Sequence, residues 1–361
     1  MRLYQNSIAF RLMVDIEWYG NVAYRTLKIY PYPYESVKDT IQKLIRAGYI
    51  GVVKGKKSKT LRQSVKSLHI TPEGRKALQE LYDRLGRGRM KHEPVIYQKQ
   101  KAYRANLVTT ATMMIHKSTG AETFSCYEVK RYLEKANPRG SDFIKYSRFV
   151  VFWKRPSVCT VVYNFGDLNM LLNKNGERNA RQAAHDYAEA GEVDMLILGD
   201  DSDTLRSILD YSLWFNQKLE KQRNHLKKVH YHINLKSNQD HGAMFLPVHY
   251  EALAVMQLMQ DENWAERIAE LHQEYEEEDM AVWGLLDCKI KLWLTHRKHP
   301  NHTRQDKVLI LCYDWQEALV KEFFREIADQ KELWIQVLTG QLVSDLFFDK
   351  IDYLPYDPYR L

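Results

Sequence analysis

Cysteine is scarce and poorly placed for its structural chemistries. The chain has four, Cys126, Cys159, Cys288 and Cys312, widely spaced and without a Cys-x-x-Cys. That spacing excludes a disulfide framework and a zinc ribbon, and leaves reduced, buried thiols as the expectation. Long apolar runs are missing too. Stretches such as Leu309-Ile310-Leu311-Cys312-Tyr313 fall far short of the roughly 20 apolar residues a membrane span needs. The opening residues Met1-Arg2-Leu3-Tyr4-Gln5-Asn6 show no apolar core or small-residue cleavage site, so no signal peptide is expected and the chain is assigned to the cytoplasm. No Gly-x-x-x-x-Gly-Lys-Ser/Thr occurs, which argues against an NTPase. There is no internal repeat, and the one biased tract, Glu274–Asp279, reads as a solvated helix face.

What the chain does have is a globular composition, 361 residues with 45% hydrophobic content, enough for two or three domains. Its charge is unevenly distributed. Residues 1–105 hold 22 Lys+Arg against 8 Asp+Glu, a net of +14, whereas residues 106–361 hold 31 against 38, a net of −7. Such asymmetry points to a polyanion at one end, nucleic acid or an anionic membrane surface.

The first 85 residues carry a consistent pattern. Ile8, Leu12, Met13 and Ile16 share one face of a helix over 7–18. A short helix is expected near 21–29, stopped by Pro31 and Pro33. Ser36 and Asp39 form a capping pair for a helix over 36–47 that buries Val37, Ile41, Leu44 and Ile45 and ends at Gly48. Residues 49–53 and 65–70 read as two strands joined by a basic loop, and Thr71-Pro72 opens another helix. Three helices, a hairpin and a helix make the layout of a winged helix-turn-helix. Gly86-Arg87-Gly88-Arg89 marks a hinge, with helix over much of 102–135, and Asn137-Pro138-Arg139-Gly140 opens a further domain.

Beyond that turn strands and helices alternate. Strands are expected at 149–153, 158–163, 193–198, 231–235, 308–313 and 333–338. Helices are expected near 203–215, 247–259, 262–279 and 315–327. The expected fold class is α/β (α+β overall), a winged helix followed by a mixed-sheet α/β domain. The expected boundaries are 1–85 for the winged helix, 86–140 for a basic hinge and helical connector, and 141–361 for the α/β domain.

The chemistry follows the charge. A wing needs cations and small residues at its tip, and residues 51–68 supply Lys54, Lys56, Lys57, Lys59, Arg62 and Lys66 with no acid among them. The preceding helix turns Lys38, Thr40, Gln42, Lys43 and Arg46 away from its apolar stripe. Gln can read adenine, and Lys or Arg can read guanine or phosphate. About six to ten phosphate contacts would make binding steeply salt-dependent.

Four other constellations each have a plainer reading beside the functional one. Asp200, Asp201 and Asp203 follow the strand 193–198, with Glu192 and Asp194 before them. They could hold Mg²⁺ for phosphoryl chemistry, but helix capping is the simpler role. Asp287-Cys288-Lys289 and Glu128-Val129-Lys130 have the acid-x-lysine spacing of a nuclease, on an expected strand and an expected helix respectively, a spacing that arises by chance. His296, His299 and His302, with Cys288 upstream, could ligate zinc, but Pro300 and polar neighbours suggest an exposed loop. Residues 163–167 and 173–178 read as a structural turn. None of these identifies a catalytic residue, and no cofactor or metal is called for.

Ala47-Gly48-Tyr49-Ile50 and Leu68-His69-Ile70-Thr71-Pro72-Glu73-Gly74-Arg75 are similar to winged-helix regulators of bacteria. With Tyr146-Ser147-Arg148, Val161-Val162-Tyr163-Asn164 and the segment from Val308 to Gln316, the whole chain resembles the replication-relaxation family of plasmids and conjugative elements. That resemblance implies a DNA-binding accessory to plasmid replication or transfer. The chain departs from the family's usual acidic strand in the second domain, so the resemblance carries over no catalytic residue.

The expected function is therefore duplex-DNA binding in the replication, transfer or transcriptional control of a mobile element. The second domain is expected to serve self-association or contact with a protein partner. A non-enzymatic role is preferred. A metal-dependent nuclease or relaxase-like activity in the second domain, or a protein-interaction scaffold, stands as the alternative.

Overall fold

A computed structural model describes residues 3–5, 7–57, 64–86, 92–165, 174–189, 191–210 and 243–347. The chain is an α/β protein with mixed sheets. It divides into two compact units, residues 1–114 with 248–250, and residues 115–247 with 251–361. Among the described residues no helix is long and apolar enough to cross a membrane.

In the first unit α1 (Ile8–Tyr19) starts at Ser7, whose hydroxyl accepts from the Phe10 N–H, and ends at Gly20 with φ +77°. Its Leu12, Met13 and Ile16 are fully buried. β1 (Val22–Ala23) and a 3-10 turn over Tyr24–Ile29 follow, where the sequence suggested one short helix. Residues 22 and 23 are instead drawn into a sheet by the longer strands β2 (Ile50–Lys57) and β3 (Ser64–Ile70), in the order β1-β3-β2.

Between them α2 (Tyr34–Arg46) begins directly after Pro33, so Ser36 and Asp39 lie inside the helix and do not cap it. Its end is as expected. Gly48 takes φ +75°, its N–H bonds Ile45 O, and the Tyr49 N–H bonds Leu44 O, both at 3.0 Å. These bonds satisfy carbonyls the helix end would otherwise leave open. Val37, Ile41 and Leu44 are fully buried, each contributing about 1.5–3 kcal/mol, whereas Ile45, expected on the same stripe, is only half-buried.

Thr71 caps α3 (Pro72–Arg84) through the Gly74 N–H, with Pro72 in the first turn. Gly74 is required there. A Cβ on it would lie 2.1 Å from Tyr49 O, so its absence lets α3 start against the α2–β2 turn.

The boundary between units falls inside α4 (Lys99–Thr119), whereas the sequence placed boundaries at 85 and 140. The cause is a buried polar relay in the first unit. Asn21 Nδ2 donates to Ser67 Oγ at 3.0 Å, Ser67 Oγ donates to Asn106 Oδ1 at 2.9 Å, and the Thr26 and Thr110 hydroxyls meet at 2.7 Å. Asn106 and Thr110 thus belong to the first unit's core. Residues 86–140 form no separate connector, because their C-terminal part enters the second unit as β4 (Thr123–Ser125) and α5 (Cys126–Ala136). β4 interrupts the expected 102–135 helix because it pairs with the strand over 151–154.

The second unit has two sheets. β5 (Val151–Lys154) and β6 (Val158–Phe165) form the expected antiparallel hairpin, with Val151 opposite Val162. β6 then runs parallel to β7 (Glu192–Gly199), and β7 to β8 (Ala243–Pro247), giving the order β4-β5-β6-β7-β8. α6 (Lys174–Ala188) lies between β6 and β7, and α7 (202–210) follows β7. The expected strand at 231–235 lies outside the described residues.

After α8 (Glu251–Leu258) and α9 (Trp264–Glu274), the parallel sheet β11-β10-β9 forms from β9 (Met280–Gly284), β10 (Lys307–Tyr313) and β11 (Glu332–Leu338). It is interleaved with α10 (Ile290–Lys298) and α11 (Asp314–Phe323), and α12 (Gly340–Phe347) follows. The Phe245 N–H donates to Cys288 O at 3.0 Å, tying β8 to the segment after β9. The acidic run is not a helix face. α9 ends at Glu274, and the following carboxylates occupy the turn into β9, with Asp279 paired to Lys307 at 2.5 Å.

Candidate nucleic-acid interface

Burying Val37, Ile41 and Leu44 forces the polar side of α2 outward. The helix does not offer all five expected residues equally. Lys38 Nζ sits 3.0 Å from Glu35 Oε2, and Glu35's hydrogen bond holds the ammonium above the usual lysine value. The Thr40 hydroxyl donates to Ser36 O at 2.8 Å, within its own helix. Gln42 Nε2 donates to the Tyr24 hydroxyl at 3.3 Å. Lys43 and Arg46 are exposed in the last turn of α2, where their charge also complements the helix dipole, and neither has an ion pair among the described residues.

Tyr24 is the residue the sequence reading missed. It sits in the 3-10 turn, and burial raises its phenol pKa despite the bond from Gln42. A turn read as helix gave no signal that Tyr24 would meet α2.

On the hairpin, Lys54 of β2 lies directly opposite Lys66 of β3 in an antiparallel register, and both are exposed. The pairing becomes irregular between Lys54 and Lys57. Lys56 and Lys57 lie on β2, with side chains outside the described set, and Lys59 and Arg62 lie outside the described residues. The base of the hairpin is firmly packed. Gly51 faces His69, whose ring occupies the space a Cβ would need, at 2.5 Å, and Tyr97 packs edge-on against His69 at 5.6 Å.

In the second unit the other candidates disperse. Asp201 Oδ1 accepts from the Thr204 N–H at 3.3 Å, the capping role. Asp194 is paired with buried Arg155, and Glu192 begins β7 while Asp200 follows its end. The length of β7 therefore separates Glu192 from Asp200, roughly 20 Å or more at a strand's rise per residue.

Asp287-Cys288-Lys289 is not on a strand. It forms a turn between β9 and α10, with Cys288 at φ +58°. Asp287 binds both the Lys289 N–H and its ammonium, each at 3.0 Å. Glu128 lies on α5 as expected and is committed to the capping box with Ser125.

The histidine segment is partly a core. His296 is buried, stacks on Trp283 with ring centroids 4.6 Å apart and on His302 at 5.1 Å. Burial holds its pKa down to about 3. Its polar sequence neighbours concealed that position. Among the described residues no group of three or more His, Cys, Asp or Glu is placed to hold a metal. All four cysteines are free and buried, and burial pushes the Cys159 and Cys312 thiols up to about 12.

Comparison with protein-family models, with curated proteins and with solved structures finds no match to the chain.

Proposed function

We propose that the chain is a duplex-DNA-binding accessory protein of a mobile genetic element, acting in the cytoplasm in replication, transfer or transcriptional control. Its first unit would bind as a winged helix. The observation that carries the reading is the Lys54–Lys66 pair. Like charges directly opposite on an antiparallel hairpin destabilise it, and a phosphate backbone relieves that repulsion. The net of +14 over residues 1–105 and the exposed Lys43 and Arg46 extend the same sign. The helix, turn, helix and hairpin order with strand order β1-β3-β2 supports the winged-helix reading, and the resemblance to the replication-relaxation family supports the mobile-element role.

A protein contact by the second unit has its own support. Trp334 on the edge strand β11 is 54% exposed, and Leu342 and Leu346, one helical turn apart on α12, are 44% and 55% exposed.

Fluorescence anisotropy with a labelled duplex, titrated across salt, tests the DNA reading. Wild type is compared with a variant changing Lys43, Arg46, Lys54 and Lys66 to Ala. A steep salt slope that flattens by up to about 3.6 in the log–log plot is expected if each cation neutralises one phosphate. Salt-insensitive or absent binding by the wild type would sink the proposal and bring the scaffold reading forward.

A further inference from the structure

The second unit as a whole is acidic, yet one stretch of it reverses sign and exposes aromatic rings. Residues 126–148 hold 6 Lys+Arg against 3 Asp+Glu. Of the three carboxylates, Glu128 is engaged by Ser125, Asp142 lies 3.8 Å from Lys145, and Glu134 is exposed on α5. The same stretch exposes Tyr127 (38%), Tyr132 (51%), Phe143 (43%) and Tyr146 (65%), four of the ten large hydrophobic side chains exposed among the described residues. A helical surface that had only to be wet would not concentrate rings there.

The backbone fixes the part of this stretch that carries Phe143 and Tyr146. The 3-10 turn Gly140–Ile144 is seated on the end of α5, where a Cβ on Gly140 would lie 2.2 Å from Leu133 O. On its other side Asn179 of α6 donates to Phe143 O at 2.7 Å, and a Cβ on Gly176 would lie 2.7 Å from the Tyr146 backbone. Buried Ile144 and Ser147 anchor the segment from beneath, so Phe143 and Tyr146 are displayed on fixed backbone. Tyr132 is held by an edge-on contact with Tyr187 at 4.6 Å. Lys145 Nζ lies 5.9 Å from the centre of the Tyr146 ring, and Arg131, Lys135 and Arg139 are exposed without an ion pair among the described residues.

We propose that this face, centred on Phe143 and Tyr146 with Arg139 and Lys145, binds single-stranded nucleic acid. Fixed aromatic faces stack on unpaired bases while neighbouring cations follow the phosphates. Duplex is excluded as the occupant because it hides its base faces in its own stack. Opposite charge selects a polyanion over an apolar protein segment. The inference does not rest on the duplex reading of the first unit.

The test uses the full chain and a fluorescein-labelled oligothymidylate of about twelve nucleotides, within the site size such surfaces cover. Wild type should bind it with salt-dependent affinity. Phe143→Ser with Tyr146→Ser should weaken that binding by about tenfold or more and leave duplex affinity unchanged. Tyr146→Phe, which keeps the ring, should retain single-strand binding. Arg139→Ala with Lys145→Ala should flatten the salt slope. The first unit's variant at Lys43, Arg46, Lys54 and Lys66 should leave single-strand affinity in place, so the two proposals fail separately. All substituted side chains are solvent-exposed, and unchanged thermal unfolding would confirm that the variants fold. No single-strand binding by the wild type, or equal affinity after loss of both rings, overturns the inference. A protein ligand on this face that the oligonucleotide fails to displace overturns it as well.

Discussion

Arg155 joins more of the second unit than any sequence pattern around it suggests, and its replacement by Met gives a sharp stability test. The side chain is 5% exposed and paired with Asp194 of β7, itself 9% exposed. Its Nε donates to Thr160 Oγ1 at 2.9 Å and its Nη1 to Met259 O at 2.8 Å. One guanidinium thus joins the β5–β6 hairpin, the neighbouring strand β7 and the end of the α8 segment. Arg155→Met leaves the Asp194 carboxylate buried and unpaired, which costs about 3–5 kcal/mol. The lost bonds to Thr160 and Met259 bring the expected total to the upper end of that range, or about 5 kcal/mol. The complementary perturbation is Arg155→Met with Asp194→Leu, which removes both charges. Asp194 Oδ1 has no hydrogen-bond partner among the described residues, so the pair is incompletely satisfied and its joint removal should cost less than Arg155→Met alone. A coupling of at least about 2 kcal/mol between the two sites is expected. The assay is urea unfolding followed by tryptophan fluorescence, which reports chiefly on this unit because seven of the eight tryptophans lie beyond residue 150. A loss under about 1 kcal/mol for Arg155→Met, or additivity in the double variant, would refute the reasoning, since coupled buried groups depart from additivity by more than that.

Two further outcomes follow from buried ionisable groups. His296 has its native pKa held down to about 3, by burial first and then by His302 and His272, against 6.5 when unfolded. The unfolded chain therefore takes up a proton that the native state refuses, and stability is lost as pH falls from 6.5 toward 3. Between pH 6.5 and 5 that loss is about 1.6 kcal/mol from this residue. His296→Phe, which keeps a ring on Trp283, should flatten the acid side of the unfolding profile, and an unchanged profile would contradict the assignment. Glu177 is the opposite case. Burial raises its carboxyl pKa despite bonds from the Arg148 N–H and the Ser147 hydroxyl, so its ionisation disfavours the fold as pH rises above the unfolded value. Glu177→Gln can keep its carbonyl on the Arg148 N–H and turn its amide to the Ser147 hydroxyl. The variant should melt higher than wild type at pH 8, with the difference shrinking toward pH 4. A variant that melts lower at pH 8 than at pH 4, each relative to wild type, would count against this.

Local chemistry made much of the fold legible. The α2 stripe at Val37, Ile41 and Leu44, the Gly48 terminus and the Thr71-Pro72 start are short-range devices, and each stands where the sequence placed it. The failures share a different cause. β1 has two residues and β4 three, too few for any periodicity, and both exist only because longer strands recruit them. His296 lies among Arg297, Lys298 and His299 yet is buried against Trp283, because α10 turns that one position inward. Asp287 to Lys289 had an apolar lead-in that suggested a strand, but Asp287 closes a turn on Lys289. The exposed rings of Phe143 and Tyr146 were invisible for the same reason, since exposure of an aromatic residue is decided by packing and not by its spacing.

The same distinction governs what the α2 surface can read. Base-edge recognition needs side chains whose donors and acceptors are unspent, whereas phosphate contact needs only charge. Thr40 and Gln42, two of the residues best suited to hydrogen-bond a base edge, already bond Ser36 O and the Tyr24 hydroxyl. Lys38 is held by Glu35. Lys43, Arg46, Lys54 and Lys66 remain as outward cations. On the proposed duplex reading, most of the affinity therefore comes from phosphate; Lys43 or Arg46 could still read guanine, but a preference for adenine requires Gln42 to exchange Tyr24 for a base. Tyr24→Phe removes that competing hydroxyl while leaving the ring, so it should sharpen discrimination between operator and random duplex without steepening the salt slope. Equal discrimination by wild type and Tyr24→Phe would show that Gln42 is a structural tie and takes no part in reading the base.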